Sequence, residues 1–215
     1  MKTIWKLTVV LTFIAFAAST AQASTIFSIV DSLSSGDLTQ TGRLSRNGIQ
    51  QDWAGTELFP GVINTTTTFH YDTYIVNVGI TPFIQIDFDS VPANTFVSAY
   101  LTSYLPNSAG SPNFGFDQHW LGDAGLSGNF FGTDPLFFNV IVPVNSNLVV
   151  VVNEVSPVGL GQSYTLTVEG FLDSEYTDAP SAVPEPSSAL LIGTSLLPII
   201  LLARKRHAAS SAAKN

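Results

Sequence analysis

The chain has 215 residues, room for one folded domain together with targeting segments, and it contains no cysteine, which excludes disulfides, thiolate metal sites and a cysteine nucleophile. Its net charge of −8 is unevenly distributed. Positions 24–182 contain fifteen Asp and Glu residues but only two Lys or Arg residues, Arg43 and Arg46. A domain this acidic repels nucleic acid, so we expect no DNA or RNA partner.

Residues 1–23 have the composition of a secretory signal peptide. Two lysines precede an apolar run from Leu7 to Ala18, and small residues follow. A cationic start, an apolar stretch and a small-x-small end are the pattern that signal peptidase recognises. Ala21 and Ala23 fit the cleavage site, so we expect export and a mature chain that begins at Ser24.

Residues 24–172 show the period-two hydrophobic pattern of β-strands rather than the period of a helix. In Phe83–Asp89, for example, Ile84, Ile86 and Phe88 alternate with polar residues. Strands are predicted at Phe69–Val78, Phe83–Asp89, Thr95–Tyr104, Leu136–Val144, Leu148–Val155 and Tyr164–Glu169. Leu136–Val144 and Leu148–Val155 are nearly all apolar, as expected of strands buried on both faces. The pattern predicts an all-β fold, an antiparallel β-sandwich or jelly roll.

Residues 105–135 interrupt the strand pattern and predict a long loop rich in Gly, Asn, Ser and aromatic residues. The final predicted strand, within Tyr164–Gly170, follows an apolar strand and a glycine-containing turn. It resembles the last strand of pre-peptidase C-terminal-type jelly-roll domains, which are accessory modules of secreted bacterial proteins. The resemblance favours a jelly roll among the possible sandwiches.

Residues 173–186 read as an acidic, proline-containing linker that ends in Pro184, Glu185 and Pro186. Each proline restricts the backbone and cannot continue a helix interior. We therefore expect this segment to be an extended, solvated peptide that a processing enzyme can bind.

Residues 187–203 predict a short transmembrane helix. Their apolar run, Ala189–Ala203, is interrupted by Pro198 and as a helix would cover roughly 22 Å, less than the ~30 Å hydrocarbon core. The basic tail 204–215 begins with Arg204, Lys205 and Arg206, and the positive-inside rule keeps this cluster in the cytoplasm. A short, proline-interrupted span suits a temporary stop in the membrane.

The C-terminal region resembles the PEP-CTERM sorting signal, because it has a Pro-Glu-Pro motif, a short hydrophobic helix and a basic end in this order. The resemblance covers residues 183–206. It implies processing near Pro184, Glu185 and Pro186 by exosortase, a membrane transpeptidase-like enzyme. It also implies a bacterial host of the kind that often makes exopolysaccharide and biofilm matrix. It carries no information about residues 24–172.

Five aspartates are candidate calcium ligands, because Ca²⁺ takes six to eight oxygens. Asp87 and Asp89 share one face of a predicted strand, and Asp117, Asp123 and Asp134 lie in the predicted long loop. The alternative is that they are solvated residues, which on an edge strand discourage pairing with other chains. No other cofactor is expected.

Three aromatic residues of the long loop, Phe114, Phe116 and Trp120, are candidates for stacking on sugar rings. The alternative is a small core that pins the loop to the sandwich.

Asp117 and His119 are two residues apart, a spacing that could suggest an acid–base pair. Asp117 and Asp123 could likewise supply the two carboxylates of a glycoside hydrolase. No nucleophile motif accompanies them, and His119 is also explained as a loop residue packed beside Trp120. We therefore expect a protein without enzymatic activity.

Together these features predict a secreted bacterial cell-surface or exopolysaccharide-matrix protein, held transiently at the inner membrane before release to the surface or matrix. The expected partners are signal peptidase, an exosortase-type enzyme, the membrane before processing, and exopolysaccharide. A carbohydrate- or calcium-binding adhesion module and a matrix glycoside hydrolase are the alternatives.

Overall fold

The computed structural model describes residues 23–90, 94–111, 113–128, 136–157 and 160–172. The chain divides into two compact units, Met1–Tyr176 and Thr177–Asn215, and every described residue belongs to the first. The signal peptide, which we expect to be a helix, lies outside the described residues apart from Ala23, and so does the helix predicted for 187–203. Within the described ranges there is no helix of the length and hydrophobicity that a membrane crossing requires.

The described residues form two antiparallel β-sheets, which confirms the all-β class. The strands are β1 (Ser24–Ser32), β2 (Leu38–Leu44), β3 (Val62–Asn77), β4 (Phe83–Ser90), β5 (Thr95–Leu101), β6 (Trp120–Asp123), β7 (Leu136–Ile141), β8 (Asn147–Glu154) and β9 (Ser163–Phe171). Sheet A has the order β1-β9-β4-β7, and sheet B has the order β2-β3-β8-β5-β6.

The strand pairs are nested along the chain. β5 pairs with β6, β4 with β7, β3 with β8 and β1 with β9, so each pair encloses the preceding one in sequence. Successive pairs alternate between sheet B and sheet A, while β2 joins the edge of sheet B beside β3. The chain is thus a long hairpin folded over on itself, with the two ends of the domain side by side in β1 and β9.

Six strands, β3, β4, β5, β7, β8 and β9, overlap strands predicted from the period-two pattern. The prediction missed β1, β2 and β6. The buried side chains of β2 include Gln40 and Arg43, so its sequence lacks an apolar alternation. β6 has four residues and lies inside the segment predicted as a loop. These strands depend on their neighbours more than on their own composition.

One hydrophobic cluster contains inward-facing side chains from both sheets. Ile84, Ile86 and Phe88 of β4 are fully buried, as their alternation predicts, and so are Leu166 and Val168 of β9. Sheet B contributes small side chains to the same cluster, Val97, Ala99, Val150 and Val152. Two sheets that share one core in this way have the character of a β-sandwich.

The outer face of sheet B carries a second apolar layer. Val149 and Val151 of β8 pack there with the buried Tyr100. The ring of Tyr104 lies 4.6 Å from that of Tyr100 and 6.0 Å from that of Phe116, between centroids. β8 is therefore buried on both faces, which accounts for its continuous run of valines.

Polar side chains join the two sheets where β3 of sheet B meets β1 and β9 of sheet A. The Tyr74 hydroxyl donates to Asp31 Oδ2 at 3.0 Å, and the Tyr164 hydroxyl donates to Asp72 Oδ2 at 2.7 Å. Burial raises the pKa of both Asp72 and Tyr74. Each buried hydroxyl thus has an acceptor on a different strand, and the bonds tie the sheets together at this side.

We expect Leu166→Ala to destabilise the domain by about 2–5 kcal/mol, because it opens a cavity between the sheets. Leu166 is fully buried, whereas Leu38 is 62% exposed, so Leu38→Ala is the matched control and should change the free energy of unfolding by no more than about 0.5 kcal/mol. Urea denaturation monitored by tryptophan fluorescence measures both. Equal effects of the two substitutions would contradict the shared core.

Candidate functional site

The loop between β2 and β3, residues 45–61, bridges the exposed edges of the two sheets. The backbone N–H of Gln51 donates to the Asp123 carbonyl of β6 at 3.1 Å, and the Gln51 carbonyl accepts from the N–H of Asn139 in β7 at 2.9 Å. β6 is an edge strand of sheet B and β7 an edge strand of sheet A. The loop therefore pairs with both edges and covers backbone groups that would otherwise be open to other chains.

The side chain of Gln51 holds the loop in this position. Its Nε2 donates to the Leu121 carbonyl at 3.0 Å, and its Oε1 accepts from the backbone N–H of Glu57 at 2.9 Å. Gly122 leaves the space that this side chain occupies, because a Cβ at Gly122 would lie 2.5 Å from the Gln51 side chain. A residue larger than glycine at position 122 would displace the bridge.

Beneath the bridge lie two buried acidic residues, Glu57 and Asp123, which we call the carboxyl pair. Glu57 is 4% exposed and Asp123 is fully buried. Glu57 accepts hydrogen bonds from Asn47 Nδ2 at 3.1 Å and from the Asp123 backbone N–H at 3.3 Å, and Asp123 Oδ1 accepts from the Gly125 N–H at 2.8 Å. Asp123 Oδ2 and Trp120 Nε1 are also buried, and the Trp120 N–H and the Glu57 carboxyl group both lie near the Asp123 side chain.

Burial raises the pKa of Glu57 to about 7 and that of Asp123 to about 8. For Asp123 the negative charge of the neighbouring Glu57 is the second cause. Two carboxylates at one buried position repel each other and have lost their solvation, so both effects favour a bound proton. Near neutral pH the carboxyl pair therefore retains a proton.

This placement limits the chemistry of the carboxyl pair. With so little exposed surface, neither carboxyl group can contact a sugar or peptide substrate, which glycoside hydrolysis by Asp123 would require. The pair is thus a proton-holding element of the closed edge.

The aspartates predicted as calcium ligands do not gather at one site, although Asp87 and Asp89 share the outer face of β4 as predicted. Asp87 lies half-buried on the outer face of β4 and accepts from Gln85 Nε2 at 2.9 Å, and burial raises its pKa to about 6. Asp89 is exposed, and Asp117 accepts from Asn113 Nδ2 at 2.8 Å within its own loop. Asp134 lies outside the described residues. In the part of the chain that the structure describes, no group of three or more His, Cys, Asp and Glu side chains could hold a metal ion.

The three aromatic residues predicted as a sugar platform differ in exposure. Phe116 is 1% exposed and packs against Tyr104, so its ring offers no face to a sugar. Trp120 is half-buried, with Phe59 edge-on at 5.6 Å, and Phe114 is 36% exposed. The buried position of Phe116 corresponds to the alternative in which aromatic residues pin the loop to the sandwich.

The two histidines of the described residues are held by local contacts. His70 Nδ1 lies at hydrogen-bond distance, 3.1 Å, from Oε1 of the fully buried Glu154. His119 is exposed, and its Nδ1 lies 3.0 Å from both the Ser103 hydroxyl and the Leu101 carbonyl. Asp117 has other partners: it accepts hydrogen bonds from Asn113 Nδ2 and from the Ser111 hydroxyl.

Gln51 and Glu57 were absent from the residues that the sequence singled out. Both lie in a largely polar stretch without hydrophobic periodicity, so nothing in the local pattern marks either residue as buried. Only the neighbourhood of the two sheet edges gives these side chains their roles. No family model matches the chain, and no curated protein matches it.

We expect the stability of the domain to fall as the pH rises from about 4 to about 8, because over this range the folded carboxyl pair binds more protons than the unfolded chain. Glu57→Gln keeps the hydrogen-bonding shape while removing one titrating group and the charge beside Asp123. The loss of unfolding free energy between pH 5 and pH 8 should therefore shrink by on the order of 1 kcal/mol or more.

Urea denaturation of the wild type and Glu57→Gln at the two pH values measures this difference. Asp89→Asn, which removes an exposed carboxyl group, is the control and should retain the wild-type pH dependence. The same pH dependence in Glu57→Gln as in the wild type would show that the pair holds no proton at neutral pH.

Proposed function

We propose that this chain is a non-enzymatic, exported bacterial protein of the cell surface or exopolysaccharide matrix, released from the membrane by processing of its C-terminal sorting tail. The strongest support is the pair of targeting patterns in the sequence, the signal peptide at 1–23 and the sorting tail at 183–206, and the position of β1 agrees with the first of them. β1 begins at Ser24, the first residue expected after signal-peptide cleavage, and Ser24 pairs with Gly170 near the end of β9. The folded strands thus fill the interval between the two predicted targeting segments.

The start of β1 is compatible with cleavage after Ala23. Ala23 and Ser24 are both exposed, and a protease requires an accessible, extended peptide. Cleavage there would remove no residue of β1 and would leave its pairing with β9 complete. An uncleaved apolar segment would instead remain joined directly to an edge strand of sheet A.

We propose that the chain has no enzymatic activity because its candidate catalytic side chains lie apart and have other partners. Catalysis needs several convergent groups within reach of one substrate. Asp123 is buried with Glu57, Asp117 bonds within its loop, and His119 bonds to Ser103 and the Leu101 carbonyl. These contacts give each group a structural partner.

We further propose that the domain is a jelly roll. The support is the nesting of the pairs β5–β6, β4–β7, β3–β8 and β1–β9, with alternation between the two sheets. A hairpin wrapped over a core in this manner generates the paired Greek keys of a jelly roll. The resemblance of Tyr164–Gly170 to pre-peptidase C-terminal-type domains favours the same fold.

The processing step is tested by substituting Pro184 and Pro186 with Ala in the native host. We expect the double variant to remain at full mature length in the membrane fraction, because the extended backbone around Glu185 is lost. Pro180→Ala, in the same linker but outside the motif, should be released like the wild type. Immunoblots of membrane and medium fractions measure release, and unchanged release of the double variant would overturn the sorting proposal.

Export is tested separately by N-terminal sequencing of the released protein. The expected first residue is Ser24. A released chain that retains residues before Ala21, or one found only in the cytoplasm, would overturn the export proposal.

A further inference from the structure

One end of the domain, which we call the apolar tip, is built from two turns and the end of a strand. It comprises the β3–β4 turn at 78–82, the β7–β8 turn at 142–146, and residues 171–172, where β9 ends. The two turns bond to each other: the Val78 N–H donates to the Ser146 carbonyl at 3.1 Å, and the Val142 N–H donates to the Pro82 carbonyl at 2.9 Å. The tip is therefore one connected surface.

Aliphatic side chains at the tip and at the adjoining end of β7 are open to solvent. Ile80 is 68% exposed, Ile141 50%, Val144 52% and Leu172 67%. Phe83, which stands opposite both Ile141 and Phe171 in the register of sheet A, lies at the base of this surface. Exposed apolar groups gathered at one end of a soluble domain mark a contact surface rather than scattered surface residues.

The tip also differs from the rest of the domain in charge. Residues 73–86, 136–153 and 170–172, which form the tip and the strands leading to it, contain no Asp, Glu, Lys or Arg. The remainder of residues 24–172 contains twelve acidic residues. The negative charge of the domain thus lies outside these segments.

The chain leaves the described domain at this same end. β9 finishes at Phe171, so the linker 173–186 starts at the tip. These fourteen residues reach at most roughly 50 Å when fully extended. The apolar run that the sequence predicts as a membrane span follows directly, so the linker keeps the domain within this distance of the bilayer.

We propose that the apolar tip docks on the lipid bilayer while the C-terminal segment holds the chain there. This inference rests on the proposed sorting function. Aliphatic side chains gain free energy by entering the interface between headgroups and acyl chains. Anionic headgroups repel the acidic faces of the domain more strongly than the tip, because residues 78–82, 142–146 and 171–172 carry no charge.

Because the tip is small, its contact with the bilayer depends on the linker 173–186, which holds the domain near the membrane. Four aliphatic side chains bind a membrane weakly on their own, but a short linker keeps the tip at a high effective concentration near the surface. Cleavage of the tail removes that advantage. Docking therefore orients the domain before processing and ends when the tail is cut.

The chain contains no cysteine, so single cysteine variants provide the test. Ile80→Cys and Val144→Cys report on the tip. Val30→Cys and Leu38→Cys are controls of similar exposure, 72% and 62%. Val30 stands opposite Thr165 and Leu38 opposite Tyr71, each six residues from the strand end at the tip, about 20 Å along the strand.

Each variant of the mature chain, residues 24–215, is labelled with a fluorophore and reconstituted into phosphatidylcholine–phosphatidylglycerol vesicles containing nitroxide-labelled lipid. We expect the label at position 80 to be quenched about twofold or more relative to the label at position 30, and position 144 relative to position 38 in the same way. Adding Val144→Asp to the Ile80→Cys variant should lower its quenching toward the control value, whereas adding Leu38→Asp should not.

Flotation of the vesicles separates the two proposals. A chain that floats with the vesicles but is quenched equally at tip and control positions would overturn docking alone. A chain that does not float would overturn the membrane-held tail and docking with it. Self-quenching between tip labels without nitroxide lipid would place a second copy of the chain on the tip and would also overturn lipid docking.

Discussion

The closure of the sandwich edge by residues 45–61 is the interaction on which the rest of the domain depends. Two packed sheets leave edge strands whose N–H and C=O groups attract other chains. Gln51 pairs with β6 through its N–H and with β7 through its carbonyl, so one residue forms a backbone hydrogen bond to each sheet. The bridge buries Glu57 and Asp123 together, and the fold tolerates two carboxyl groups there because burial raises both pKa values.

The closed edge also determines which surfaces of the domain remain open to contact with other molecules. With the β6 and β7 edges covered, and the opposite side joined through Tyr74 and Tyr164, the apolar tip stands out as a contact surface. The domain is acidic elsewhere, and like charges on those faces disfavour contact between copies. These properties are compatible with the proposal of a protein that is first held at a membrane and then released.

The strands that the sequence predicted are those with their own hydrophobic signature. β4 and β9 alternate because one face of each meets the core, and β8 is continuously apolar because Tyr100 and Tyr104 cover its outer face. β2 and β6 were missed because their place in the sheet depends on neighbouring strands. The carboxyl pair shows the same difference between local and long-range information. Asp123 is recognisable in the sequence as an acidic residue, but its partner Glu57 lies 66 positions away in the chain.

The sequence by itself determined the all-β class, the inward faces of β4 and β9, and the distribution of charge, because these follow from local composition and periodicity. It also supports the expectation of export and sorting, since such signals are linear and are recognised as extended peptides. Only the tertiary structure decided that Gln51 bridges the sheets, that Phe116 is core rather than platform, and that Asp123 shares a buried position with Glu57. Those roles arise from contacts between segments distant in sequence, where the environment of a side chain, and not its identity, sets its burial and its protonation.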